Sequence, residues 1–306
     1  MILVETPAYK AWDEYRSKTS QSRVYQYGGL CIFLLIHVVL LSLGRTPNLH
    51  VYNGVDMWFY LVEWLPLGGT VVVSMMLITW MGYFVYMDLT GQKTPAERKK
   101  DPADKHKIKP KAAFKVNPYY IGYMLLEGFL YGSLIYATLP AFVRLLLSSL
   151  EIPIELPAQF DAADSLWTMN SNIAQDIALA FGAGVYEELL FRALLFMIVI
   201  YSARQFGKKY RFLGQFNLSE EPMKPFPLRI PKYDRKNNRL FLLYLLGAVI
   251  AASTHFLLPF SDHLSAYGFV YRVFFALMMY VIFAGRGPVT AAWTHIVYDL
   301  IYFTIR

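Results

Sequence analysis

Seven long apolar stretches, separated by polar loops, run along the chain at about 25–43, 67–87, 119–147, 173–203, 240–260, 267–284 and 288–305. About 20 helical residues at 1.5 Å each cross a hydrocarbon layer of roughly 30 Å, so each stretch predicts a transmembrane helix. The fourth is longer than a straight crossing needs, which predicts a tilted helix or a break at the small residues Gly182-Ala183-Gly184. Met57 to Pro66 is aromatic-rich and interrupted by Glu63 and Pro66, which reads as an interfacial or re-entrant piece. Residues 1–24 mix both signs of charge and lack the short basic start of a signal peptide.

Composition agrees with that pattern. Of 306 residues, 56% are hydrophobic and 17% charged, where soluble chains carry about 25% charged residues. The net charge of +7 fits either nucleic-acid binding or a membrane protein with basic cytoplasmic loops. The placement of the charges decides. Lys93 to Lys115 holds nine Lys/Arg against three Asp/Glu, and Gln205 to Arg239 repeats that balance. Ser149 to Asn170 carries Glu151, Glu155, Asp161 and Asp164 with no basic residue. This alternation places the amino terminus in the cytoplasm and the carboxyl terminus outside. No aromatic-interleaved basic pattern points to nucleic acid. A single cysteine, Cys31, lies in an apolar run and excludes a disulfide framework or a multi-cysteine metal site.

The expected fold class is therefore all-α, a polytopic integral membrane helical bundle of about seven transmembrane helices. Residues 1–170 form an amino-terminal membrane region with the basic loop 93–115, and residues 171–306 hold the candidate chemistry, without a separate soluble domain.

A charged side chain at mid-bilayer costs roughly 2.5–3.5 kcal/mol, so ionisable residues within apolar spans face the protein interior and suggest function. They concentrate in three places: Glu187-Glu188-Leu189-Leu190-Phe191-Arg192, then Ala251 to His255, then His295 to Asp299. In an α-helix Glu188 and Arg192 stand one turn apart on one face and should pair. Glu187 then points about 100° away, without that arginine and available as a base or ligand. His295 and Asp299 are also four apart, so the carboxylate is expected to orient one imidazole nitrogen while the other faces substrate, water or metal. Glu127, beside Gly128 and Gly132, fits either a cavity lining or helix packing with a hydrogen-bonded carboxylate. Arg144 and Arg272 lie near span ends, where snorkelling is the ordinary behaviour.

Other intramembrane chemistries lack their motifs. The chain has no His-Glu-x-x-His, no Gly-x-Ser-x-Gly, no phosphate loop and no Gly-x-Gly-x-x-Gly. Water activated by a carboxylate, with or without a metal, is left.

The run from Glu187 to Arg192 resembles the Glu-Glu-x-x-x-Arg motif of the type II CAAX prenyl endopeptidase and bacteriocin-processing family. That family includes the Ras-converting endopeptidase and the abortive-infection and myxosortase-like enzymes. His255 matches the histidine of the family's Phe-x-x-x-His motif, with Ala251 at the phenylalanine position. His295 and Asp299 match its His-x-x-x-Asn/Asp motif, and the resemblance covers about 173–305.

It implies an intramembrane endopeptidase that cuts near the carboxyl terminus of a membrane-anchored or lipidated protein. Glu187 would activate water with help from His255, Glu188 would pair with Arg192, and His295 with Asp299 would stabilise the oxyanion. An ionised aspartate cannot donate a hydrogen bond, so Asp299 is expected to orient a donating His295. The cofactor stays open between none and zinc, the latter held by Glu187, His255 and His295. The positions of His255 and Glu187 along their helices place the site in the outer half of the bilayer. Two other readings are a non-proteolytic immunity or scaffold protein of the same fold, and a proton-coupled transporter, for which no inverted repeat is visible.

Overall fold

The computed structural model describes residues 7–43, 69–92, 114–154, 173–195, 198, 238–256 and 265–304, and each apolar stretch is helical over most of what is described of it. Helix α1 covers Pro7–Gln21, α2 Arg23–Leu43, α3 Gly69–Leu89 and α4 Pro118–Ser149. Helix α5 covers Ile173–Glu187 and continues without a break as a π-helical segment over Glu188–Leu195. Helices α6 (Asn238–Thr254), α7 (Ala266–Arg286) and α8 (Pro288–Thr304) complete the described elements. No strand occurs among the described residues.

The all-α expectation holds, and the span count is met in part. Four helices, α2, α3, α4 and α7, are long and apolar enough to cross a membrane. Within the described residues α5, α6 and α8 are α-helical for 15, 17 and 17 residues. The segment 57–66, both basic loops except for Phe114 to Lys115 and Asn238 to Arg239, and the acidic loop beyond Ile154 lie outside the described residues.

Helix ends follow local chemistry. Asn117 caps α4 by accepting from the Tyr119 amide, with Pro118 in the first turn, where a missing N–H costs nothing. Ser265 caps α7 by accepting from the Gly268 amide. Gly287, at φ 91°, turns the chain from α7 into α8, a backbone conformation that L side chains rarely adopt. Gln26 of α2 fastens this turn: its Nε2 donates to the Arg286 carbonyl at 3.2 Å and its Oε1 accepts from the Val289 amide at 3.0 Å.

Helix α8 lies at the centre, packed on α2, α4, α5 and α7. Small residues permit this. A Cβ on Gly132 of α4 would meet the Thr294 carbonyl at 2.7 Å, and one on Gly184 of α5 would meet Ile296 Cγ1 at 2.5 Å. Contacts also fix relative direction. Gly29 then Phe33 of α2 meet Val289 then Trp293, and Gly128 then Gly132 of α4 meet Trp293 then Val297, so α2, α4 and α8 run one way. Cys31 bonds the Ile78 carbonyl while Arg23 pairs with Asp88, so α3 runs opposite to α2. Phe275 meets His295 while Tyr271 meets Tyr298, so α7 runs opposite to α8. Tyr244 meets Tyr280 while Phe256 meets Phe269, so α6 runs opposite to α7.

Of the two sequence readings of the fourth stretch, the break at 182–184 is not found. Residues 182–184 do not break α5; Gly182 and Gly184 sit inside the α-helix, where His37 and Ile296 occupy the space their side chains would need. The departure from α geometry comes four residues later. The polar first 24 residues also hold a helix, α1, whose buried face is Tyr15 and Thr19, four apart. It docks on Glu127, which forms a bidentate ion pair with Arg286 at 2.6 and 2.7 Å and accepts from the hydroxyls of Tyr15 at 2.9 Å and Tyr131 at 2.8 Å. Of the two readings for Glu127, the hydrogen-bonded packing carboxylate is the one found. Arg144 is exposed, as snorkelling requires, and Arg272 lies over the Phe256 ring at 5.9 Å.

Candidate functional site

Two elements bring the polar cluster together. The π segment supplies Glu188 and Arg192, directly after Glu187 ends α5, and α8 supplies His295 and Asp299. The close approach of Gly184 to Ala292 and Ile296 draws these elements into contact.

Glu188 and Arg192 are completely or almost completely buried, and Arg192 Nη1 lies 3.3 Å from Glu188 Oε1. That pair is legible in the sequence as an i, i+4 arrangement. Glu187 is not isolated as the sequence suggests, because its Oε2 lies 3.9 Å from the same Nη1. In an α-helix residues five apart diverge by about 140°. A π-helix bonds i to i+5 and brings them back toward one face, so one guanidinium lies near both carboxylates.

His295 is also held differently from the expectation. Its Nδ1 donates to Glu188 Oε1 at 3.0 Å, which makes Glu188 the orienting carboxylate. Its Nε2 lies 3.8 Å from Glu187 Oε2 and 3.6 Å from Asp299 Oδ2. Asp299 thus shares the outward nitrogen with Glu187. Both gaps exceed a direct hydrogen bond. Exposure rises across the cluster, from 0% for the Glu188 side chain to 7% for Glu187 and 15% for Asp299, so the side facing Glu187 and Asp299 is the accessible one.

His255 stands one residue past the end of α6. It is buried, its ring lies 6.2 Å from Phe191, and it is within the field of Arg192, Arg272 and His295. It makes no hydrogen bond to Glu187, contrary to the partnership expected from the sequence, and its Nδ1 is buried with no hydrogen-bond partner. The helix ends at Thr254, and the turn at His255 and Phe256 carries the ring onto the π segment.

Aromatic rings wall the cluster. Phe275 stands edge-on to His295 at 5.0 Å and packs on Tyr298 at 4.7 Å, and the hydroxyls of Tyr271 and Tyr298 bond each other. Tyr280, which sequence reasoning missed, donates from its hydroxyl to the Phe191 carbonyl within the π segment at 2.5 Å. Only tertiary contact reveals it, since tyrosine is common along the whole chain.

Among the described residues no three His, Cys, Asp or Glu side chains are arranged to hold a metal ion. The Glu187, His255 and His295 set is therefore not such a group, and Arg192 Nη1 lies 3.9 Å from Glu187. Comparison of the chain with family models, curated proteins and solved structures finds no match.

Proposed function

We propose that the chain is a membrane-embedded endopeptidase that hydrolyses a peptide bond near the carboxyl terminus of a membrane-anchored or lipidated protein. The observation that carries this reading is the convergence of the Glu187 and Asp299 carboxylates on His295 Nε2, at 3.8 and 3.6 Å. Behind it, Glu188 and Arg192 are buried and matched to each other. Two helices do not bring three carboxylates, a histidine and an arginine into an apolar bundle at low cost, and intramembrane ionisable groups of this kind mark function.

Each residue has a role that its contacts define. Glu188 accepts from His295 Nδ1 and neutralises Arg192, so it holds the frame and has no free face for substrate. Glu187 lies beside His295 Nε2 on the more accessible side of the cluster and takes the proton from an attacking water. His295 Nε2 faces Glu187 and Asp299 and, once protonated, donates to the developing oxyanion, with Asp299 beside it balancing that charge. The protonated Glu187 then returns its proton to the leaving amine, which balances the reaction as acid and base catalysis by one group. His255 supplies a second imidazole behind the π segment.

Seven spans fit this reading, with the amino terminus cytoplasmic and the carboxyl terminus outside. The alternating directions of α2, α3, α7 and α8 and the basic loops support it. His255 just beyond α6 and Asp299 near the end of α8 lie toward the same end of the bundle, which supports a site in the outer half of the bilayer.

The test compares carboxyl-terminal peptides of the membrane proteome in cells carrying the wild-type chain, Glu187→Ala or His295→Ala, expressed equally. The same proteins are expected to keep longer carboxyl termini in both variants. Identical processing in all three would overturn the reading and favour a scaffold or immunity protein. A chelator arm decides between the two cofactor readings: processing lost and then restored by zinc would favour the zinc one, and unchanged processing the metal-free one.

A further inference from the structure

We infer that Tyr280 is a positioning residue that holds the π winding of Glu188–Leu195, and that this winding sets the site by giving one arginine to two adjacent carboxylates. The catalytic half of this inference rests on the peptidase reading; the conformational half does not.

Three observations support it. The Tyr280 hydroxyl donates to the Phe191 carbonyl, inside the π segment and next to Arg192. An interruption of the regular i to i+4 pattern leaves backbone groups in need of partners, and a buried hydroxyl satisfies one of them. Tyr280 itself has no room to be elsewhere. It is completely buried, its ring packs on Tyr244, and a Cβ on Gly247 would lie 2.7 Å from its hydroxyl oxygen. Gly247 of α6 therefore makes the slot through which Tyr280 of α7 reaches the segment. Finally, the consequence of the winding is measurable at the site, where Arg192 Nη1 lies 3.3 Å from Glu188 and 3.9 Å from Glu187. Relaxation to α geometry would turn Glu187 about 140° away from Arg192.

Residues at the end of the segment register the winding. Leu194 is exposed, while Ala193 is buried and Leu195 half-buried. Removing the wide turn rotates the helix beyond it by about one residue, 100°. Either sense of rotation moves position 194 toward an orientation that is now less exposed.

The experiment places a nitroxide on Leu194→Cys in a Cys31→Ala background, reconstitutes the full chain in bilayers and measures oxygen accessibility by electron paramagnetic resonance. Tyr280→Phe removes only the hydroxyl, and Gly247→Ala independently crowds it. Both are expected to lower oxygen accessibility at 194. Both are also expected to cut the processing rate by ~10- to 100-fold, the scale of a displacement of about 1 Å at a catalytic group, with little change in the substrate concentration giving half-maximal rate. Unchanged accessibility at 194 in folded Tyr280→Phe and Gly247→Ala protein would overturn the inference whatever the rate does. Reduced accessibility together with full processing would overturn its catalytic half. The accessibility reading stands independently of Glu187→Ala, so a failure of the peptidase reading is distinguishable from a failure here.

Discussion

Glu187 and Glu188 are neighbours with different work, and their surroundings explain the difference. Glu188 is fully buried, paired with Arg192 and bonded by His295 Nδ1, so removing it leaves a buried guanidinium without its nearest counter-charge and a buried ring N–H without its acceptor. Breaking a buried pair in this way costs about 3–5 kcal/mol. Glu188→Ala is therefore expected to lower the thermal unfolding midpoint in detergent strongly. Glu187→Gln, whose contacts at 3.8 and 3.9 Å are looser, is expected to lower it by much less while removing the base. Equal losses for the two substitutions would contradict this division of roles. The identities of the six candidate residues are legible in the sequence because ionisable groups are conspicuous in apolar runs. Their pairing is legible only where α geometry applies: it gives Glu188 with Arg192 and misses Glu187 with Arg192.

At the scale of elements, close helix approach and one irregular turn build the site. Gly184 lets α5 reach α8, and its added Cβ would meet the Ala292 carbonyl at 2.9 Å as well as Ile296. Backbone cannot yield as a flexible side chain does, so Gly184→Ala is expected to destabilise by about 1–3 kcal/mol and to reduce processing. Gly28 of α2 has nothing within 4 Å of its would-be Cβ. Gly28→Ala is expected to be neutral or to stabilise by up to about 1 kcal/mol, through helix propensity alone. Unfolding midpoints of the two variants check this pair, and a destabilised Gly28→Ala would show that the glycine positions are not governed by packing. The small-residue pattern at 182–184 signals something special, but sequence cannot say whether it bends the helix or admits a neighbour. What decides it is the presence of His37 and Ile296 opposite.

Across the whole molecule, α1 clamps the end of the bundle where α7 turns into α8. Tyr15 donates to Glu127, Arg286 pairs with Glu127, and Trp12 lies 5.4 Å from the Arg286 guanidinium. Burial, and then the adjacent Glu127 carboxylate, push the Tyr15 hydroxyl well above its usual titration range. The unfolded chain releases this proton near pH 10, whereas the folded chain retains it. The contribution is therefore complete below about pH 10 and is lost as pH rises beyond it. Tyr15→Phe is expected to flatten the fall of stability above pH 10, other tyrosines being common to both proteins. Parallel slopes for variant and wild type would show that α1 does not depend on this proton.

The sequence by itself determined that the chain is helical and membrane-suited, where its apolar helices begin to within a few residues, and which ionisable groups sit among apolar ones. Those properties are local: length of apolar run, capping residues and charge placement. Tertiary structure decided the rest. It set the π winding after Glu187, the choice of Glu188 as the carboxylate that orients His295, the tyrosine that reaches Phe191 and the docking of α1. Each of these depends on partners more than 80 residues apart in sequence or on a winding whose small energetic difference from the α-helix is settled by neighbouring helices.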